Sequence, residues 1–333
     1  MAVHDTEPRS KTQDRIWAIA RKSLLSQEVI LLLMTIVVIL ILAIQSDKFL
    51  SVNNLLNQGR LMTETGLLAL PLTYIIITGG IDLSVGSIAG LSAIILGYSW
   101  QNLGFPLGAA ILFAVLLGGV AGFVNGLIIT RANVPPLIAT LATLTFYRGL
   151  AEGIAQARSV TGYPEWFFEL GQGDFLGIPS QLYFLVIATI IAGIILSRTT
   201  FGRALYTIGN NEMAARFSGI PVKRAKLMIY TFSGLMAGLA GYILVSRVST
   251  TRSDMGSGWE LDAIAAVVLG GTSIFGGSGS ILGTVIGLIL IQLLKNGLSL
   301  SGVTGDATIV VIGMVLIIST LVNSFIQRSV RGA

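Results

Sequence analysis

Apolar runs close to bilayer-crossing length alternate with short polar breaks along almost the whole chain. A helical span needs about 20 apolar residues. Runs near that length lie at about 28–45, 62–78, 84–101, 105–130, 134–155, 179–197, 225–246, 259–271, 280–298 and 306–326. The pattern predicts an all-α polytopic membrane protein with about ten transmembrane helices. The count is eight to ten if broken or re-entrant segments occur, because the second and third runs meet at a break and the eighth is short. The plan is a tail over 1–27, a transmembrane domain over 28–326 with a cytoplasmic loop at 198–226, and a tail over 327–333. The first run lacks a small-residue cleavage site, so it is read as a retained span and not a signal peptide.

The break between the second and third runs reads Gly79-Gly80-Ile81-Asp82-Leu83-Ser84-Val85-Gly86-Ser87. A carboxylate among glycines between apolar runs is a functional-site hypothesis, since non-helical backbone at bilayer depth must be buried in protein or line water. A weaker copy, Gly270-Gly271-Thr272-Ser273-Ile274-Phe275-Gly276-Gly277-Ser278-Gly279-Ser280, follows the eighth run and gives the chain a weak internal repeat. Glycine-broken segments in corresponding halves point to a transport path. The candidate pathway residues are therefore Gly79, Gly80, Asp82, Ser84, Gly270, Gly271, Thr272 and Ser273. A structural alternative stands beside this: the Asp82 carboxylate caps the third span at Ser84–Val85 and touches no solute. Elsewhere glycines recur every four residues at Gly118, Gly122 and Gly126, at Gly234 and Gly238, and at Gly283 and Gly287, which predicts close helix packing.

Charge sets the orientation. Basic residues precede the first run, six lie between Arg198 and Lys226 against the single acid Glu212, and Arg328 and Arg331 close the chain. The positive-inside rule makes all three regions cytoplasmic, which an even number of spans satisfies. The loop 152–178 carries Glu152, Glu165, Glu169 and Asp174 with Tyr163, Trp166, Phe167 and Phe168, as expected of an outward loop touching the membrane interface. With 53% hydrophobic and 11% charged residues, the chain is more apolar than a soluble domain at roughly 45–50% and about 25%. There is no cysteine, and His4 in the tail is the one histidine, which argues against metal and histidine-based chemistry. The net charge of +5 is explained by topology, and no nucleic-acid partner is expected.

In the cytoplasmic loop, Asn210 or Asn211 can cap a short helix with Glu212 in its first turn and an apolar face of Ala214, Ala215 and Phe217, ended by Gly219 and Pro221. So short a helix is steadied by a groove on another protein; the alternative is an ordinary basic loop. The run Gly209-Asn210-x-x-x-Ala214-Ala215-x-x-Ser218-Gly219-Ile220, with the Gly79–Gly86 motif, resembles bacterial ABC-importer permeases for monosaccharides such as ribose. The resemblance covers roughly residues 28–326, although Glu212 sits one residue further from the alanine pair than in the commonest docking loop. Some relatives carry autoinducer-2, and Arg252-Ser253-Asp254-Met255-Gly256 resembles those as well. The resemblance implies that Gly209, Asn210, Glu212, Ala214, Ala215, Ser218 and Gly219 couple the chain to a separate ATPase, with both alanines under the partner's groove.

No lysine follows a glycine, so the phosphate-cradling Gly-x-x-x-x-Gly-Lys-[Ser/Thr] loop is missing. The chain is then not an enzyme and binds no cofactor, ATP and Mg belonging to the partner. The reading implied is the transmembrane subunit of an ATP-driven importer of a sugar-like solute in the bacterial inner membrane. Its partners are ATP-binding cassette subunits, a periplasmic solute-binding protein and a second permease copy or paralogue. A gradient-driven secondary transporter with Asp82, Glu64 or Lys295 as relay is the alternative.

Overall fold

The computed structural model describes residues 27–305, 307–315 and 317. The predicted tails and most of the run 306–326 lie outside the described residues. The helices are α1 (Gln27–Gln45), α2 (Val52–Ile77), α3 (Val85–Gln101), α4 (Leu107–Thr130), α5 (Pro136–Ala155), α6 (Glu169–Gln172), α7 (Ser180–Arg198), α8 (Thr200–Asn210), α9 (Glu212–Phe217), α10 (Val222–Val248), α11 (Trp259–Leu269) and α12 (Ile281–Leu300). A 3-10 turn at Glu165–Phe168 and a two-residue hairpin, β1 (Asp174–Phe175) with β2 (Ile178–Pro179), complete the connection between α5 and α7. Among the described residues, five helices are long and apolar enough to cross a membrane: α2, α4, α7, α10 and α12. The protein is an all-α multi-pass membrane protein.

Helix α2 starts ten residues before the apolar run predicted it. Its first turns are polar, with Ser51 Oγ accepting from the Asn54 amide, and they pair across to α12. Asn54 exchanges amide hydrogen bonds with Asn296 at 2.8 and 3.0 Å, and Gln292 Nε2 donates to Gln58 Oε1 at 2.8 Å. Hydropathy alone hides such a helix, because its polar groups are satisfied by a partner distant in sequence.

The glycine stripes of α4 and α10 lie on each other. A Cβ on Gly122 would sit 2.1 Å from the Tyr230 carbonyl, and one on Gly234 2.1 Å from that of Gly118, so any larger side chain would push the two backbones apart. Helix α10 also packs on α2 and α3, placing it at the centre of the bundle. The outward faces of α4 and α7 are apolar and exposed, as at Leu112, Val120, Ile187 and Ile190, which suits lipid.

Between α10 and α11 the chain descends into the bundle without helical structure. A Cβ on Gly97 would touch Thr251, one on Gly90 the Met255 carbonyl, and one on Gly86 the Gly256 carbonyl. From Gly97 to Gly90 is about 10 Å along α3 at 1.5 Å per residue. Helix α11 therefore begins partway down the bundle and is a half-helix. Arg148 on α5 satisfies the exposed backbone of this segment, with Nη1 donating to the Ser253 and Met255 carbonyls at 2.6 and 2.8 Å.

In the loop 152–178 two of the four named aromatics are buried. Phe167 is fully buried and Tyr163 nearly so; the two rings stack at 4.5 Å, and Tyr163 stacks on Trp100 at the end of α3 at 4.6 Å. These aromatics plug the end of the bundle, and of the four named in that loop Trp166 is the one half exposed.

Candidate functional site

Both glycine breaks open with the same turn. After α2 the Gly79 amide donates to the Ile76 carbonyl and the Gly80 amide to that of Ile75. After α11 the Gly271 amide donates to Val268 and that of Thr272 to Val267. This is a Schellman closure, in which the residue after the cap must be left-handed; Gly79 has φ +75° and Gly271 φ +92°. The internal repeat thus extends to backbone hydrogen bonding at both breaks.

Beyond that turn the first break is organised by Asp82, which is wholly buried. Its Oδ1 accepts from the Ser84 amide at 2.9 Å and from Ser84 Oγ at 2.6 Å, and its Oδ2 accepts from Ser233 Oγ on α10 at 3.3 Å. Ser84 Oγ in turn accepts from Asn125 Nδ2 on α4 at 2.7 Å, and the Tyr147 hydroxyl on α5 donates to Asn125 Oδ1 at 3.3 Å. Thr140 Oγ1, also on α5, donates to the Ile81 carbonyl at 3.1 Å. Asp82 therefore ties the start of α3 to α10 directly and to α4 through Ser84, and Thr140 and Tyr147 add links to α5 beside it.

The second break folds back on the first. The Gly277 amide donates to the Ile77 carbonyl at 2.9 Å, and the Ser273 amide to the Ser278 carbonyl at 3.0 Å. Gly270 packs on Gly283 at the start of α12, where Ser280 Oγ accepts from the Gly283 amide at 3.0 Å. Phe275 is almost fully exposed and Thr272 is buried. The two breaks thus meet where Ile77 and Gly79 face Gly277, Gly276 and Phe275, while Asp82 and Ser84 turn to Ser233 and Asn125 and Gly270 turns to Gly283. None of the eight sequence-named pathway residues lines the cavity of about 770 Å³ between the outer ends of α3 and α5, or that of about 480 Å³ beside Asp262 and Lys295.

The loop 200–220 forms two helices where the sequence suggested one. Thr199 Oγ1 accepts from the Gly202 amide and caps α8, whose Leu205 and Ile208 are buried. Asn211 then closes α8 and opens α9, its amide donating to Thr207 and its Oδ1 accepting from the Ala214 amide at 2.9 Å. Helix α9 ends in a further Schellman closure: Ile220 N–H to the Ala215 carbonyl, Gly219 N–H to that of Arg216, and Gly219 at φ +80°.

The two alanines are parted. Ala215 is fully buried in the chain's own core, so it is not under a partner's groove, whereas Ala214, Met213 and Phe217 are exposed, Phe217 by 87%. Glu212 grips Arg216 at 2.5 Å and Lys226 on α10 at 2.6 Å, fixing α9 against the bundle. Burial alone would raise its carboxyl, and the Lys226 and Arg216 cations outweigh burial, holding it below the usual carboxylate range.

Two ion pairs within the bundle went unread in the sequence. Arg247 Nε donates to buried Glu64 at 2.6 Å, and Lys295 Nζ to Asp262 at 2.5 Å. Each partner is distant in sequence, so no local spacing marks the pair.

Comparison with known proteins agrees with this architecture. A family model described as branched-chain amino acid transport system / permease component matches residues 54–320. A ribose import permease protein of Bacillus subtilis (strain 168) is 44% identical over 290 residues, 86% of this chain and 89% of the relative. One of Escherichia coli (strain K12) is 37% identical over 93% of this chain and 95% of its own length. An autoinducer 2 import system permease protein of Photorhabdus luminescens is 36% identical over 87% of this chain and 88% of its own. No solved structure matches significantly. With the matched region running from the first turn of α2 past α12, the chain belongs to the branched-chain amino acid transport system / permease component family.

Proposed function

We propose that this chain is the transmembrane subunit of an ATP-driven importer of a monosaccharide or sugar-like solute, in the chemical range of ribose and autoinducer-2. In this reading ten spans cross the inner membrane, counting α1, α2, α3, α4, α5, α7, α10, α11, α12 and the helix that begins near residue 305. The 198–226 loop and both tails then face the cytosol, consistent with their basic residues. Two ATP-binding subunits grip the α9 loops of two permease chains, and a periplasmic binding protein delivers the solute. ATP and Mg belong to the ATPase subunits.

The observation that carries the reading is α9 itself. It is a six-residue helix closed at both ends, anchored through Glu212, and it presents Met213, Ala214 and Phe217 outward. So short a helix has no stability of its own, and exposed apolar residues on a charged loop mark an interaction face. Three of the acids within the bundle favour this reading over a gradient-driven carrier; a fourth, Glu260 on α11, carries a buried Oε2 with no hydrogen-bond partner among the described residues. Glu64 and Asp262 are paired with cations, and Asp82 is enclosed by three hydrogen bonds from Ser84 and Ser233. None of the three stands as an open relay.

The test is Phe217→Glu with Met213→Glu. Both side chains point away from the bundle, so membrane abundance should match the wild type, since exposed substitutions of this kind change stability by about 0.5 kcal/mol or less. ATPase co-purification and solute uptake should fall by about tenfold or more, the loss expected when central anchors of an interface are removed. Uptake by the wild-type chain alone in proteoliposomes, driven by a proton or sodium gradient, would overturn the reading.

A further inference from the structure

The end of α8 lies directly on the meeting point of the two glycine breaks. A Cβ on Gly209 would fall 1.8 Å from the Ile77 carbonyl and 2.5 Å from the Gly277 amide, the same two groups that hydrogen-bond each other at 2.9 Å. The Tyr206 hydroxyl donates to the Gly279 carbonyl at 2.7 Å, and Asn210 Nδ2 donates to the Tyr206 carbonyl at 2.9 Å. Asn210 also lies against Gly277, where an added Cβ would come within 2.6 Å of its Oδ1. Three backbone segments, at 77–80, 206–210 and 276–279, therefore touch with no side chain between them at Gly209, which leaves no compressible layer.

This seat is rigidly joined to the docking helix. Asn211 is at once the C-cap of α8 and the N-cap of α9, so no free linker separates them. On the membrane side the seat holds the end of α2 at Ile77, and its glycine loop runs from the end of α11 at Leu269 to the start of α12 at Ile281. Resting on the reading that α9 docks an ATPase, we infer that α8 and the two glycine breaks form one rigid seat that passes the motion of α9 to α2, α11 and α12. Gly209, Asn210 and Tyr206 are then positioning residues for transport. They touch neither ATPase nor solute and act through the breaks they hold.

The alternative route for the motion is covalent, through α7 into α8 and out through α10. That route does not need the seat. The two routes separate in the complete complex, reconstituted with its ATPase and binding protein, by measuring ATPase co-purification, ATP hydrolysis and solute taken up per ATP. Tyr206→Phe deletes a single hydrogen bond, and Asn210→Ala frees one side of the seat. Both should keep the ATPase bound and hydrolysing while uptake per ATP falls roughly three- to tenfold, the range that one lost hydrogen bond can produce. Gly209→Ala should reduce it further. Unchanged uptake per ATP in Tyr206→Phe and Asn210→Ala would overturn the inference.

A cross-link tests rigidity, and the chain has no native cysteine to interfere. In the double variant Asn210→Cys with Gly277→Cys, oxidation locks the seat shut. Uptake by the oxidised form should equal or exceed that of the reduced form, because the seat moves as one body. Loss of uptake on oxidation, restored by a reductant, would mean that the surfaces slide, and would overturn it. Failure of the ATPase to co-purify with the wild-type chain is a separate outcome, which removes the proposed function and this inference with it.

Discussion

In the break at 79–84 a buried carboxylate collects hydrogen bonds from Ser84 and Ser233 and fixes α3 to three other helices, whereas the break at 270–280 holds no ionisable side chain at all. The contrast extends to the serines that precede the following helices. Ser280 Oγ caps α12 by accepting from the Gly283 amide, while Ser84 Oγ is taken up by Asp82 and Asn125 and makes no cap bond to α3. The first break is thus a brace held by side chains, and the second is held mainly by backbone contacts to its neighbours. Side-chain networks in a dry interior have one satisfied arrangement, whereas the glycine loop is held by direct backbone contact, Gly270 on Gly283 and Gly277 on Ile77. The two breaks are thus both fixed, one by side chains and one by backbone, as a seat that moves as one body requires.

The largest effect should come from removing the brace. Asp82→Ala leaves the Ser84 amide, the Ser84 hydroxyl and the Ser233 hydroxyl without their acceptor inside the bundle. Each such group costs about 1–3 kcal/mol, so a loss of about 3 kcal/mol or more is expected, read as lower membrane abundance and a melting temperature reduced by several degrees in detergent. Asp82→Asn, which keeps an acceptor oxygen, should lose roughly half as much. A melting temperature for Asp82→Ala equal to the wild type would end the description of this break as a brace.

Ser84→Ala should cost less, about 1–2 kcal/mol, because it removes one donor to Asp82 and one acceptor from Asn125 but leaves the backbone bond from residue 84 to Asp82 intact. The check is a double-mutant cycle with Asn125→Ala. A coupling energy near zero would show that the two side chains do not act as one network.

How far the sequence foretold this contrast follows from the range over which each signal acts. Helix limits were legible where apolar runs meet proline or glycine: α3, α4, α5 and α7 begin within two residues of their runs, and the half-helix α11 was visible as a short eighth run. Asp82 and the glycines around it were legible because a charge between two spans is costly in lipid. That Gly122 faces Tyr230, that Gly209 faces Ile77 and Gly277, and that Glu64 faces Arg247 are facts of tertiary contact between residues about 100 or more apart in several cases, which local periodicity does not encode. Helix α8 was hidden because its eleven residues are too short for a span and few of them, Leu205 and Ile208 among the large ones, are buried. The burial of Ala215 went unread because an alanine pair looks the same whether it faces a partner or the chain's own core.

The smallest expected effect is at Thr272, and its sign discriminates most sharply between the two breaks. Thr272 is buried and its Oγ1 has no hydrogen-bond partner among the described residues. Valine has nearly the same shape and carries no hydroxyl to desolvate. Replacing an unpaired buried polar group by an apolar group of the same shape is nearly neutral or stabilising, so Thr272→Val should change stability by about 0.5 kcal/mol or less, or raise it. The same exchange of hydroxyl for hydrocarbon at Ser84 lowers stability, because there the oxygen is used twice. Thermal unfolding of Ser84→Ala and Thr272→Val side by side therefore gives opposite or clearly unequal shifts if one break is braced and the other is not. A loss above about 1 kcal/mol at Thr272 would mean that its hydroxyl is bonded in the working protein, by a buried water with other polar partners or by solute. The second break would then be a polar site in its own right, and the distinction between a break braced by side chains and one held by backbone would fail.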